Sequence, residues 1–175
     1  RSVGVEVKQT KTGGVISVGS FPVSLPLRTT VHIEKDWTSA SYFYLMAALA
    51  PGKRIRLVGL SRESVQGDAI VENIFAKLGV KTVEVRSPFR RESRSLRIVA
   101  SDKPVSRIFI SLRHYPDLMP AVAVACAALG VSAYIRGIEN LRLKESDRIH
   151  SVATELSSMG ASVQVLDKEL RIRKS

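Results

Sequence analysis

The chain is poor in cysteine, aromatic residues and long apolar runs, and each shortage removes a class of explanation. One cysteine in 175 residues excludes an internal disulfide framework. That residue, Cys126, stands among small apolar neighbours in PAVAVACAALG and reads as a buried, inert thiol. Aromatics make up 6% and nowhere alternate with basic residues along the chain, so no linear stacking platform exists and no nucleic-acid partner is expected. No apolar run approaches the roughly 20 residues that span a bilayer, and the N-terminus lacks the regions of a signal peptide. The expectation is a cytoplasmic protein without a membrane partner. A glycine-rich phosphate loop, a nucleophile elbow and zinc-ligand spacing are missing too, and His32, His114 and His150 stand isolated.

What is present is an ordinary globular balance, 45% hydrophobic and 25% charged, enough for a sizeable core. The net charge of +11 requires either dispersal in solvent or a negative partner. Because the basic residues are spread along the chain, a scattered basic surface accounts for most of them. The opening RSVGVEVKQTKTGGVISVG resembles the close of a structural unit already in progress, so a fragment is expected.

Hydrophobic periodicity indicates mixed α and β structure. Helical patterns cover 41–50, 68–79, 117–130 and 145–160; alternating patterns of strand type cover 54–60, 80–85, 131–138 and 161–166. The order helix, strand, helix, strand therefore occurs twice. Its punctuation repeats as well: Gly52 and Gly59 are spaced like Gly130 and Gly137, Gly79 answers Gly160, and Gly4 matches the end of an earlier unit. The segments SLRIVAS and RIFISL form a strand pair between the copies, and SPFRRESRS (87–95) reads as a surface hairpin loop. The expected organisation is a tail of a preceding repeat unit with a hinge region over 1–35, then one domain over 36–175 of two units, about 36–105 and 106–175.

The stretch RLKESDRI (142–149) crowds charge onto the start of a helix whose apolar face is Ile149, Val152, Ala153, Leu156 and Met159. Ser146 or Asp147 is suited to cap that helix. Lys144 and Arg148, however, are cations at its positive end, where the dipole opposes them unless an anion is near, and with Glu145 they share one helical edge. An anion site is the favoured reading. In RHYPDLMP, Pro116 keeps Tyr115 extended, and Asp117 falls at a strand-to-helix junction, where the plain reading is an N-cap. The preceding repeat carries Asp36 at the position taken as equivalent, with capping by Asp36 or Thr38.

NLRLKESDRI resembles the signature of the 5-enolpyruvylshikimate-3-phosphate synthase family. EKDWTSASYFYLMAALAPG, SRESVQGDAIVENIFAKLGV and YPDLMPAVAVACAALG resemble further segments of that family in order, so the resemblance covers nearly the whole chain. It implies an α/β (α+β) fold of repeated βαβαββ units, helices inside and sheets outside, in an inside-out barrel of which about two of six units are present. It also implies transfer of the enolpyruvyl group of phosphoenolpyruvate to the 5-hydroxyl of shikimate 3-phosphate, without metal or organic cofactor. Residue by residue it implies that Asp117 accepts the hydroxyl proton and Glu145 takes part in proton transfer at the methylene carbon. Asn140 and Lys144 would contact shikimate 3-phosphate, and Arg148 would hold phosphoenolpyruvate. The family's early Lys-Ser, Asn-Ala-Gly-Thr and Ser-Ser-Gln motifs and its late Asp-His-Arg motif are not found in these residues. The isolated chain is therefore expected to fold at least partly but not to turn over without the remainder of the same chain. The alternatives are a UDP-N-acetylglucosamine enolpyruvyl transferase relative, whose family lacks the Lys144 to Arg148 run, and a non-catalytic basic binding module.

Overall fold

The computed structural model describes residues 7–9, 16–19, 33–86 and 94–173. The chain divides into two compact units, Arg1–Ile33 and Glu34–Ser175. In the first, β1 (Val7–Gln9) pairs antiparallel with β2 (Ile16–Val18); Gly4 and His32 lie outside the described residues.

The second unit runs α1 (Trp37–Leu49), β3 (Arg54–Val58), α2 (Val71–Lys77), β4 (Val80–Arg86), β5 (Arg94–Ala100), β6 (Arg107–Ser111), α3 (Met119–Ala128), β7 (Ser132–Arg136), α4 (Arg148–Ser158), β8 (Ser162–Val165) and β9 (Glu169–Arg173). It forms two sheets, ordered β3-β5-β4 and β6-β7-β9-β8. The expected mixed α/β architecture is the one observed. In each sheet the hairpin's second strand lies between its first strand and the strand that precedes the hairpin. The repeat is thus a repeat of topology. Gly52, Gly59 and Gly79 in one copy and Gly130, Gly137 and Gly160 in the other all have positive φ.

Three readings are corrected. SLRIVAS and RIFISL do not pair with each other: β5 is the centre of one sheet and β6 the edge of the other, running parallel to β7. Arg94 and Ser95 of the expected loop already belong to β5, while 87–93 lie outside the described residues. Met159, assigned to the buried face of α4, follows the helix's last residue and is 77% exposed.

Helix patterning explains the layers. Asp36 caps α1 by accepting from the Thr38 amide at 2.9 Å, and the helix buries Trp37, Ala40, Ser41, Tyr44, Ala47 and Ala48 at turn spacing. α3 is apolar on nearly every side and sits at the centre, against α1, α4, β7 and β9. Cys126 is fully buried there, and burial pushes its thiol pKa up to about 12. Each fully buried Leu, Phe or Met contributes about 1.5–3 kcal/mol relative to exposure. Helices line the inner faces of both sheets, and the outer faces meet solvent. Among the described residues, no helix is long and apolar enough to cross a membrane.

Candidate active site

β6 and β7 run parallel, so both chain segments leave the sheet at the same edge, where α/β sheets characteristically bind ligands. The Leu112 amide extends the ladder by donating to the Arg136 carbonyl at 2.8 Å. Two 3-10 turns follow, Pro116–Leu118 after β6 and Glu139–Leu143 after β7. Leu112, Leu118, Ile138 and Leu141 are buried beneath them, which anchors both turns to the core. The turns lie against each other.

Gly137 permits this approach. Its φ is 72°, and a Cβ there would stand 2.6 Å from the Arg113 backbone nitrogen. Beside it is a polar cleft of ≈ 460 Å³ lined by Ser111, Arg113, Gly137, Glu139 and Asn140. A smaller, more apolar cleft of ≈ 180 Å³ lies between α2 and β6, lined among others by Ile70, Ile74 and Ile108. It holds no acid–base pair.

Four of the five expected site residues converge. Arg148, the first residue of α4, donates through Nη1 to Asp117 Oδ1 at 2.8 Å and through Nη2 to Glu145 Oε2 at 2.8 Å. Lys144 Nζ stands 3.5 Å from Asp117 Oδ2. Asn140 is not in this ion-pair cluster; it lines the cleft, on the turn that leads to Lys144. The cations at the helix start therefore have anions beside them, supplied by the chain itself. Asp117 caps nothing: it lies within its 3-10 turn, and neither that turn nor α3 has a side-chain cap. Capping of α4 falls to Asp147, whose Oδ1 accepts from the His150 amide at 3.0 Å. Lys144 and Glu145 precede the helix and reach Arg148's surroundings from a loop rather than along one helical edge.

The cluster contributes little to stability. Asp117, Lys144 and Arg148 each keep about a third of the side chain in solvent and Glu145 keeps 82%, and such ion pairs contribute about 0–1 kcal/mol each. Its charges remain available to a ligand. The Glu145 carboxyl is held below the usual carboxylate range by its own backbone N–H first, and then by the Arg148 guanidinium. Ser111, Arg113 and Glu139 escaped the sequence reading; the matched glycine at 137 is the one local signal that the chain crosses itself there.

A sequence model of the family described as EPSP synthase (3-phosphoshikimate 1-carboxyvinyltransferase) matches residues 1–175. The 3-phosphoshikimate 1-carboxyvinyltransferase of Bacteroides fragilis is 37% identical over 128 residues, which are 73% of this chain and 30% of that protein. The enzyme of that name from Dehalococcoides mccartyi is 33% identical over 171 residues, 98% of this chain and 37% of that one. The chain thus spans about a third of the length of the curated relatives it matches. In shape it is similar to the EPSP synthase of Acinetobacter baumannii, with a TM-score of 0.74 at 20% identity, covering 99% of this chain and 39% of that one. With a family match over every residue and a common fold, the chain belongs to the EPSP synthase family.

Proposed function

We propose that this chain forms part of an enzyme that transfers the enolpyruvyl group of phosphoenolpyruvate to the 5-hydroxyl of shikimate 3-phosphate and releases phosphate, on the cytoplasmic route to chorismate. The observation that carries the reading is the Asp117, Lys144, Glu145 and Arg148 cluster at the carboxyl ends of two parallel strands. Two carboxylates beside two cations are what an addition–elimination between anionic substrates requires. In this reading Asp117 accepts the proton of the attacking hydroxyl. Glu145 protonates the methylene carbon as the new C–O bond forms, then withdraws a proton as phosphate leaves. General acid–base steps of this kind contribute about 10²- to 10⁴-fold each. Lys144 and Asn140 hold shikimate 3-phosphate, and Arg148 holds phosphoenolpyruvate.

The two acids need opposite protonation states in this reading. Asp117 lies between two cations, Lys144 and Arg148. Glu145 relies partly on Arg148 for its ionised form. An anion bound to Arg148 competes for that guanidinium and adds negative charge beside Glu145, and both effects raise its proton affinity. The remainder of the same chain closes the cleft, and these 175 residues alone do not turn over.

Phosphate release by an uninterrupted protein carrying this segment tests the reading. Glu145→Gln lowers turnover at least a hundredfold while substrate affinity changes little, and Arg148→Ala mainly raises the Michaelis constant for phosphoenolpyruvate. Turnover unchanged in Glu145→Gln would remove that residue from the chemistry. Release of phosphate by the isolated chain would show that the rest of the protein is dispensable.

A further inference from the structure

The outer face of the sheet β6-β7-β9-β8 carries features that the transferase reading does not use. Side chains alternate along β6 and β7, and along β9 from Leu170 onward. Ile108, Ala133, Ile135, Leu170 and Ile172 are buried toward the helices, while Arg107, Phe109, Tyr134, Arg136, Arg171 and Arg173 stand on the opposite face. Register brings the second set together: Phe109 pairs with Tyr134, and Tyr134 with Arg171. The two rings are stacked, with centroids 4.7 Å apart and planes 16° from parallel, and the Arg171 guanidinium sits 5.8 Å from the Tyr134 centroid. Phe109 is 67% exposed although it is a large apolar side chain. It stands on the edge strand, so among the described strands none flanks the ring face turned away from Tyr134.

Charge on this face is one-sided. Among the strand residues of the sheet, Glu169 is the single acid; it is buried and already accepts from both Arg136 and Arg171. Those two arginines hold its carboxyl below the usual range, Arg171 contributing more than Arg136. Arg107 and Arg173 remain exposed at the far ends of their strands. A partner for this face must present negative charge at several points and a flat, apolar surface between them. An acidic protein satisfies the first requirement only, and the apolar area, two rings within a polar field, is too small for the centre of a stable protein interface.

We propose that this face binds single-stranded nucleic acid, with a base stacked on the open side of Phe109 and Arg107 and Arg173 paired with backbone phosphates. The linear chain contains no alternation of aromatic and basic residues; pairing of strands from separate segments creates one. The proposal is independent of the transferase reading, because none of these side chains belongs to the ion-pair cluster.

Fluorescence anisotropy of a labelled single-stranded oligothymidylate titrated with the 175-residue chain tests it, with duplex DNA and heparin as comparisons. Expected are binding at low salt that favours the single strand over the duplex, and a log–log salt slope of about −1 to −2, as about two neutralised phosphates give. Phe109→Ala weakens oligothymidylate binding about fivefold or more and leaves heparin binding unchanged, whereas Phe109→Tyr restores it. Arg107→Ala weakens both. Phe109 lies outside the core, so circular dichroism of Phe109→Ala matches the parent chain. Absence of binding at low salt overturns the proposal. So does an equal effect of Phe109→Ala on both ligands, which would leave only a charged surface. Self-association that Phe109→Ala abolishes, without oligothymidylate binding, would assign the face to a second copy.

Discussion

The two repeats of the Glu34–Ser175 unit solve the same connection in different ways. In each, the loop before the second helix is tied to the start of the first helix. In the earlier repeat the tie is a hydrogen-bonded clasp. Gln66 Nε2 donates to the Lys35 carbonyl at 2.8 Å, its Oε1 accepts from the Trp37 amide at 2.9 Å, and Thr38 donates to Asp68. Glu34 secures the same loop through Ser64 and the Val65 amide, which hold its carboxyl below the usual range, the hydroxyl contributing most. In the later repeat the tie is ionic: Lys144 and Arg148 reach from the loop before α4 and the start of α4 to Asp117 before α3. A clasp satisfies backbone groups and uses up its partners. An ion-pair cluster that is one-third exposed adds little stability and leaves charge for a ligand. The shared fold thus carries a hydrogen-bonded junction in one copy and a partly exposed, charged one in the other.

The glycines at the ends of β3 and β7 give the strongest test of this comparison. Gly59 and Gly137 both have positive φ, but a Cβ at Gly59 meets only the Lys35 side chain at 3.3 Å, whereas at Gly137 it meets the Arg113 backbone at 2.6 Å. Both substitutions to alanine incur a left-handed penalty of about 1–2 kcal/mol; Gly137→Ala must also displace backbone and is expected to cost about 3 kcal/mol in all. Denaturant titration of the two variants separates them, and equal losses would mean that the later junction is no tighter than the earlier one.

Removing the ties is next in size. Gln66→Ala strips partners from the Lys35 carbonyl and the Trp37 amide and is expected to cost about 1–2 kcal/mol. Arg148→Ala is expected to cost less than about 1 kcal/mol in the same experiment. A reversal would make the ionic junction the structural one. The caps, by contrast, should behave alike: Asp36→Ala and Asp147→Ala each remove a bond to a helix amide, and a loss of about 1 kcal/mol is expected from both.

The smallest effect is electrostatic. Glu34 and Glu145 both have carboxyls held below their ordinary range, so each adds stability above the unfolded-state value that is lost as pH falls through the folded-state value. The causes differ. Hydrogen bonds alone lower Glu34, while Glu145 combines its own backbone N–H with Arg148 and Lys144. Carboxyl titration followed by NMR at low and high salt should move Glu145 upward more than Glu34, because screening weakens charge pairs more than hydrogen bonds. Equal movement would argue against a cationic contribution at Glu145.

Some of this was legible in the chain and some was not, for identifiable reasons. The helices and most strands follow local periodicity, and the matched glycines mark backbone positions that few other residues occupy. β9 was missed: its Leu170 and Ile172 alternate properly, but its first residue, Glu169, is a buried acid that only Arg136 and Arg171 from neighbouring positions make tolerable. Asp36 is the sequence counterpart of Asp117, yet Asp36 caps a helix and Asp117 pairs with a cation 31 residues away. Capping depends on neighbours within a turn; pairing across a sheet edge depends on topology.

The sequence by itself determined the family, the α/β class, the duplicated plan and the residue types gathered in RLKESDRI, because motif order, helical period and glycine spacing are written along one dimension. Only the tertiary structure decided which charges meet. The parallel register of β6 and β7 brings Asp117 to Arg148, and the pairing of β6, β7 and β9 builds an aromatic and basic face from residues scattered over three separate segments. Contacts between distant segments are set by how strands pair and pack, and no local spacing encodes them.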